Sequence, residues 1–117
     1  MTFQLYVALE AEADIDDILE WSVTQFGPAI RDGYETLIDA AICAIVEDPN
    51  RAGSHERADL GDGVRTLHLA SSRDDVSGDV RKVAQPRHFV VYRQAGDVVQ
   101  VVRLLHEAMN LPAQRIP

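Results

Sequence analysis

The sequence predicts an α+β domain over residues 1–117, ordered β-α-α-β-β-β, with an antiparallel sheet and a helical hairpin packed on one face. Three observations predict it. Near the C-terminal end two runs rich in Val, Tyr and Phe, Phe89 to Tyr92 and Val98 to Leu105, flank Gln94-Ala95-Gly96-Asp97. Apolar β-formers around a short Gly- and Asp-bearing spacer read as a β-hairpin. The first half carries two amphipathic helical patterns separated only by Gly27-Pro28, which makes an α-hairpin. Short alternating stretches precede and follow that helical pair, and consecutive strands late in the chain imply an antiparallel meander.

Residues 2–8 alternate, with Phe3, Leu5 and Val7 on one side and Thr2, Gln4 and Tyr6 on the other, so the first strand has one buried face. From about Ala11 the apolar residues Ile15, Ile18, Leu19 and Phe26, with Ser22, recur at steps of three and four, while Asp14, Asp16, Asp17 and Glu20 fill the other face. Acids in the first turns suit the positive end of a helix. Trp21 falls beside this stripe, where it flanks the core or joins an interface. Pro28 is preorganised for a first helical position. The second helix runs to about Val46 on Ile30, Tyr34, Leu37, Ile38, Ala41, Ile42 and Ile45, and Asp48-Pro49 ends it because a residue before proline avoids the α region. Cys43 is read as a small buried side chain of that helix. Residues 48–63 read as a loop with three glycines, Val64 to Leu69 as a strand, and the polar residues 71–86 as a long connection, mobile or formed into a β excursion. After the hairpin, the tail from Ala108 begins with a helical turn that Pro112 and Pro117 cut short.

At 117 residues a single domain can bury about two thirds of its unfolded surface, enough for a core without staples. One cysteine excludes an intramolecular disulfide framework and a cysteine-based zinc site. No apolar run approaches the roughly 20 residues of a membrane span. The N-terminal Met-Thr-Phe-Gln-Leu-Tyr-Val lacks a basic leader, so a cytoplasmic location is expected. The net charge of −8 argues against indiscriminate nucleic-acid binding. It is unevenly spread: residues 1–62 hold 3 basic and 14 acidic side chains, residues 63–106 hold 7 and 4. The second half therefore presents cations, either on solvated faces or as a working surface of the sheet.

No Gly-rich phosphate loop, HExxH, GxSxG or cysteine cluster occurs, and His55, His68, His88 and His106 have no ligand-like pairing, so neither a metal nor a cofactor is expected. Asp16 and Glu20, one helical turn apart, read as a wet face. What remains is arginine beside strands: Arg65, Arg87, Arg93 and Arg103, with His106 closing the last strand. Arg suits bidentate phosphate or carboxylate contacts. Three uses stay open: an RNA phosphate, with His106 as general acid or base; an acidic protein surface; or this chain's own acidic helices.

The combination of Ala11-Glu12-Ala13-Asp14-Ile15-Asp16-Asp17-Ile18 with Trp21 and Phe26-Gly27, Tyr34 and Leu37, Glu47-Asp48-Pro49 with Gly53, Gly63-Val64-Arg65, Arg87-His88-Phe89-Val90-Val91-Tyr92-Arg93 and Val101 to Asn110 resembles the ParE branch of the RelE/ParE superfamily. These are toxins of type II toxin–antitoxin modules, often labelled plasmid stabilisation proteins. The resemblance spans nearly the whole chain. It implies a RelE/ParE-like fold and a toxin that poisons DNA gyrase on cleaved DNA, blocks replication and is neutralised by a ParD-like antitoxin wrapped over the helix pair and sheet. It implies no catalytic residue, no membrane and no direct sequence-specific reading of nucleic acid. On the residues themselves, those expected to face a target are Arg87, Arg93, Arg103, His106, Met109 and Asn110; those expected to face the antitoxin are Trp21, Tyr34 and Tyr92.

The RelE-like branch cleaves mRNA on the ribosome with basic sheet residues and a terminal Tyr or His, and Arg65, Arg87, Arg103 and His106 are the matching candidates. Here no Tyr follows His106, and Lys82 is the only lysine. A third alternative is a homologue that binds antitoxin without toxicity. Ser71 to Pro86 departs from the shorter members, in which the strand after Gly-Val-Arg turns almost at once into the Arg-His strand.

Overall fold

A computed structural model describes residues 3–76 and 83–117. The strands are β1 (Gln4–Val7), β2 (Ser54–Glu56), β3 (Val64–His68), β4 (His88–Ala95) and β5 (Val98–His106); the helices are α1 (Leu9–Phe26) and α2 (Pro28–Glu47). The strands form one sheet in the order β1-β5-β4-β3-β2. The expected α+β architecture is present, with antiparallel pairing from β2 through β5. One refinement lies at the edge, where β1 pairs with β5 in parallel, Gln4 opposite Val98 through Val7 opposite Val101. The first and last strands thus lie side by side.

The helix hairpin forms where the pattern puts it. The backbone N–H of Gly27 closes α1 onto the carbonyl of Val23, and its φ of 88° with ψ of 175° is open only to glycine, so the chain reverses there. Pro28 then starts α2. Ala11, Ile18, Leu19 and Ser22 of α1 and Tyr34, Leu37, Ile38, Ala41, Ile42 and Ile45 of α2 are buried. They meet Leu67, Val90, Tyr92, Val99, Val101 and Leu104 from one face of the sheet. Each fully buried aliphatic side chain contributes about 1.5–3 kcal/mol from desolvation. Two expectations are corrected. Cys43 is exposed, because it lies off the stripe that Ile38, Ala41, Ile42 and Ile45 make. Phe26, expected on the core stripe, is also exposed, at the last position of α1 before the Gly27 break.

The other sheet face is covered by the chain's own tail. Leu111 and Ile116 close over Val64, Val91, Val102 and Leu105, with Leu60 and Phe89 alongside. The two cores are made compatible by a β-bulge. Val91 lies opposite Arg103 and Tyr92 opposite Val101, so Val102 is the extra residue. The bulge shifts the alternation: Val99, Val101 and Leu104 face the helices, while Val102 and Leu105 face the tail.

The hairpin turn is two residues, Gly96-Asp97, tighter than the four-residue spacer suggested. Gly96 has φ of 63°, and no residue other than glycine among those described has positive φ, which is the pattern of a type II′ turn. β2, inside the stretch read as a loop, is a three-residue edge strand on β3. The segment after β3 opens as a 3₁₀ segment, Leu69–Asp75, rather than a β excursion; residues 77–82 lie outside the described residues. The helical turn expected after Ala108 comes at Leu111–Ala113.

Candidate functional site: a groove between the helix hairpin and the sheet end

The helix hairpin overhangs the start of β4 and the end of β5, and a cavity of about 860 Å³ opens between them. The helices contribute Ile18, Trp21, Phe26, Ile30 and Tyr34, with Asp17 at the rim. The strand side contributes Arg87, His88, His106 and Met109. Trp21, Phe26 and Met109 are 55%, 59% and 46% exposed, three large apolar side chains left open around one concavity. The Trp21 and Phe26 rings meet edge to face with centroids 5.4 Å apart. Pockets for small molecules and peptide anchors are of this size and mostly apolar, with few polar groups.

The floor is a polar latch. The Tyr34 hydroxyl oxygen accepts the Arg87 backbone N–H at 3.1 Å and lies 2.6 Å from Nδ1 of His88. The Tyr34 O–H then donates to Nδ1, which assigns the proton of a neutral His88 ring to Nε2. Burial pushes Tyr34 up to about 12. Burial, then the neighbouring His106, pushes His88 down to about 4, so both groups are neutral at pH 7. His106 stacks edge-on to His88 at 5.0 Å, and its Nδ1 accepts the Ala108 N–H at 3.0 Å. The latch joins α2 to the beginning of β4 and holds Arg87 at the rim.

Arg87 lies just before β4 and is exposed. It is 56% exposed at the side chain and donates from one guanidinium nitrogen to Glu107 Oε1 at 3.0 Å and from the other to Gln85 Oε1 at 3.2 Å. The second Glu107 oxygen lies 2.8 Å from His68 Nε2. The Arg87 guanidinium, then the His68 hydrogen bond, hold the Glu107 carboxyl below its ordinary range.

The remaining arginines lie elsewhere. Arg103 grips Asp14 of α1 with Nε and one terminal nitrogen, at 2.7 and 3.0 Å, and donates from the other terminal nitrogen to the Arg115 carbonyl at 2.8 Å. Arg93 donates to the Pro117 carbonyl at 2.7 Å. Arg65 donates to Ser54 Oγ and to the Ser54 carbonyl at the far sheet edge. Of the residues expected to face a target, Arg87, His106 and Met109 share the groove, whereas Arg93 and Arg103 hold the tail and Asn110 is exposed outside the groove lining. Of the residues expected to face an antitoxin, Trp21 and Tyr34 line the groove. Tyr92 is fully buried, and its hydroxyl bonds Pro49 and Ser54, so it presents no surface to a partner. Phe26 and Ile30 were missed as surface. Their only signal was proximity to the Gly27-Pro28 break.

The chain matches the family described as "ParE toxin of type II toxin-antitoxin system, parDE" over residues 5–111. It is 29% identical over 103 residues to Toxin ParE1 of Caulobacter vibrioides, covering 88% of each chain. Its fold is that of a solved chain from the chromosomal ParDE TA system of P. aeruginosa, with a TM-score of 0.66 at 20% identity, covering 90% of this chain and 96% of that one.

Proposed function

Because the chain belongs to the ParE toxin family of type II toxin–antitoxin systems, we propose that it acts by inhibiting DNA gyrase and blocking replication, and that a ParD-like antitoxin neutralises it by filling the groove. The groove is the observation that carries this reading. It is lined by Trp21, Phe26, Ile30 and Met109 and bordered by Arg87 and His106, and an amphipathic helix laid with its apolar face into such a cleft is a common mode of peptide recognition. The solved ParDE relative supports an antitoxin of that kind as the partner. An occupant of the groove would also cover Arg87, His106 and Met109, the target-facing candidates there, so neutralisation would follow from occlusion.

The dispersal of the other basic residues favours a protein target over ribosomal mRNA cleavage. A general acid–base mechanism needs its groups within hydrogen-bond reach of one phosphate. Arg65 is bonded to Ser54 and Arg103 to Asp14, while Arg87 and His106 share the groove. The purified protein is therefore expected to inhibit gyrase supercoiling and to accumulate cleaved DNA. Absence of both effects would overturn the gyrase reading, and translation-dependent mRNA cleavage would replace it with the ribonuclease.

A further inference from the structure

We propose that Arg87 reads a carboxylate on the segment that occupies the groove, by exchanging Glu107 for an acidic residue of the partner. This deepens the reading of the groove as an antitoxin dock and rests on it. The two walls differ in charge. Asp17 stands on the helix side, with Glu20 one turn further along the same acidic face; Arg87 stands on the strand side. Between them the lining is mostly apolar. An occupant with bulky apolar side chains thus meets one polarity only: an acid beside Arg87 is attracted, and an acid beside Asp17 is repelled. The apolar lining and Asp17 disfavour a nucleic-acid backbone and suit a peptide.

Arg87 is built for an exchange. Its backbone N–H is held by Tyr34 and one guanidinium nitrogen by Gln85, so two anchors persist when the Glu107 contact is given up. It is still open to solvent, and among the described residues only Glu107 and Gln85 accept from its guanidinium. Glu107 holds Arg87 with one oxygen and His68 with the other. When Arg87 turns to an incoming carboxylate, Glu107 keeps the His68 contact and is not stranded. Glu107 therefore acts as an internal stand-in for the partner's acid, and Arg87 sets which peptide is accepted more than how tightly any apolar segment is held.

The test is a random-peptide display selection against the full chain, followed by affinity measurement with one synthesised binder. The expected binders lose affinity on Trp21→Glu, which places them in the groove, and carry Asp or Glu beside bulky apolar residues. With Arg87→Glu the affinity falls about tenfold, and changing the peptide's acid to Lys restores it; with Glu107→Gln the affinity rises about threefold, ranges consistent with one partly desolvated ion pair. All three substituted side chains are surface-accessible, and unchanged circular dichroism confirms the fold of each variant. Groove binders without acidic enrichment, or indifferent to Arg87→Glu, overturn the exchange and leave the dock standing. Absence of binders, or binders indifferent to Trp21→Glu, overturns the dock and this inference with it.

Discussion

Arg103 lies on β5 and Arg87 just ahead of the neighbouring β4, and the molecule holds them in opposite ways. Arg103 is 17% exposed, paired with Asp14 through two nitrogens and bonded to the tail. Arg87 is 56% exposed and held by a carboxylate that has a second partner. The difference comes from what each strand edge lacks. β1 covers β5 only as far as Val101, so beyond it β5 has an open edge. Asp14 takes over there, accepting the Leu104 N–H at 3.0 Å as well as the guanidinium. One carboxylate thus closes a sheet edge and ties α1 to the bulge. At the groove, among the described residues, no carboxylate closes the site in this way, and Trp21, Phe26 and Met109 are exposed. A guanidinium satisfied from within the chain holds the fold together; an exposed one beside open apolar surface is what makes the groove the proposed binding surface.

The sharpest way to break this contrast is to remove Asp14. Asp14→Ala orphans the Leu104 N–H and a largely buried guanidinium, and losing one partner of a buried pair is far more costly than the pair's net worth. A loss of about 3 kcal/mol is expected in chemical denaturation, with a coupling of about 2 kcal/mol to Arg103→Ala in a double-mutant cycle. Glu107→Ala, at the exposed and solvent-screened pair, should cost far less than Asp14→Ala. Equal losses at the two sites would erase the distinction between them.

Much of the frame was legible in the sequence and much of the site was not, for different reasons. The helices and the β4–β5 hairpin carry their own periodicity and punctuation, so Gly27-Pro28 and Gly96 mark the turns without tertiary information. β2 was hidden because Ser54-His55-Glu56 has no apolar alternation; it is a strand only because β3 offers an edge. The parallel β1–β5 pairing depends on contacts between residues 4 and 101, which no local window contains. The arginines were visible as residue types, but their partners lie 89 positions away for Arg103 and 20 for Arg87. Sequence distance hides which cation is satisfied within the fold and which stays exposed. The buried state of Tyr92 shows the same limit, since its hydroxyl is claimed by Pro49 from a loop that carried no signal.

The latch at the groove floor should announce itself by pH. His88 is pushed down to about 4 by burial and by His106. Between the ordinary value of 6.5 and 4 the unfolded chain binds a proton that the folded chain refuses, so stability is complete above pH 6.5 and declines as pH falls toward 4. One unit is about 1.4 kcal/mol; discounted for the partial exposure of the ring, the loss should be about 2 kcal/mol. Most of that decline precedes protonation of the carboxylates. His88→Gln, whose amide can still accept from Tyr34, should flatten the stability profile between pH 6.5 and 5. A profile unchanged by that substitution would remove His88 as the acid-labile element of the groove.

The smallest expected effect on stability is the most informative about function. Trp21 leaves over half of its surface open and touches Phe26 edge to face. An aromatic contact of this kind is worth about 0.5–1.5 kcal/mol, and less at an exposed position. Trp21→Ala should therefore move the denaturation midpoint by no more than about 1 kcal/mol, well short of Asp14→Ala. Its effect on antitoxin affinity should run the other way, because Trp in a concave patch is the commonest kind of hot spot and its truncation typically costs 2 kcal/mol or more. The two substitutions thus form a crossed pair: Asp14→Ala lowers stability with affinity per folded molecule retained, and Trp21→Ala lowers affinity with stability retained. If Trp21→Ala instead destabilises as much as Asp14→Ala, the exposed aromatic pair belongs to the fold, and the groove loses its separate standing as a binding surface.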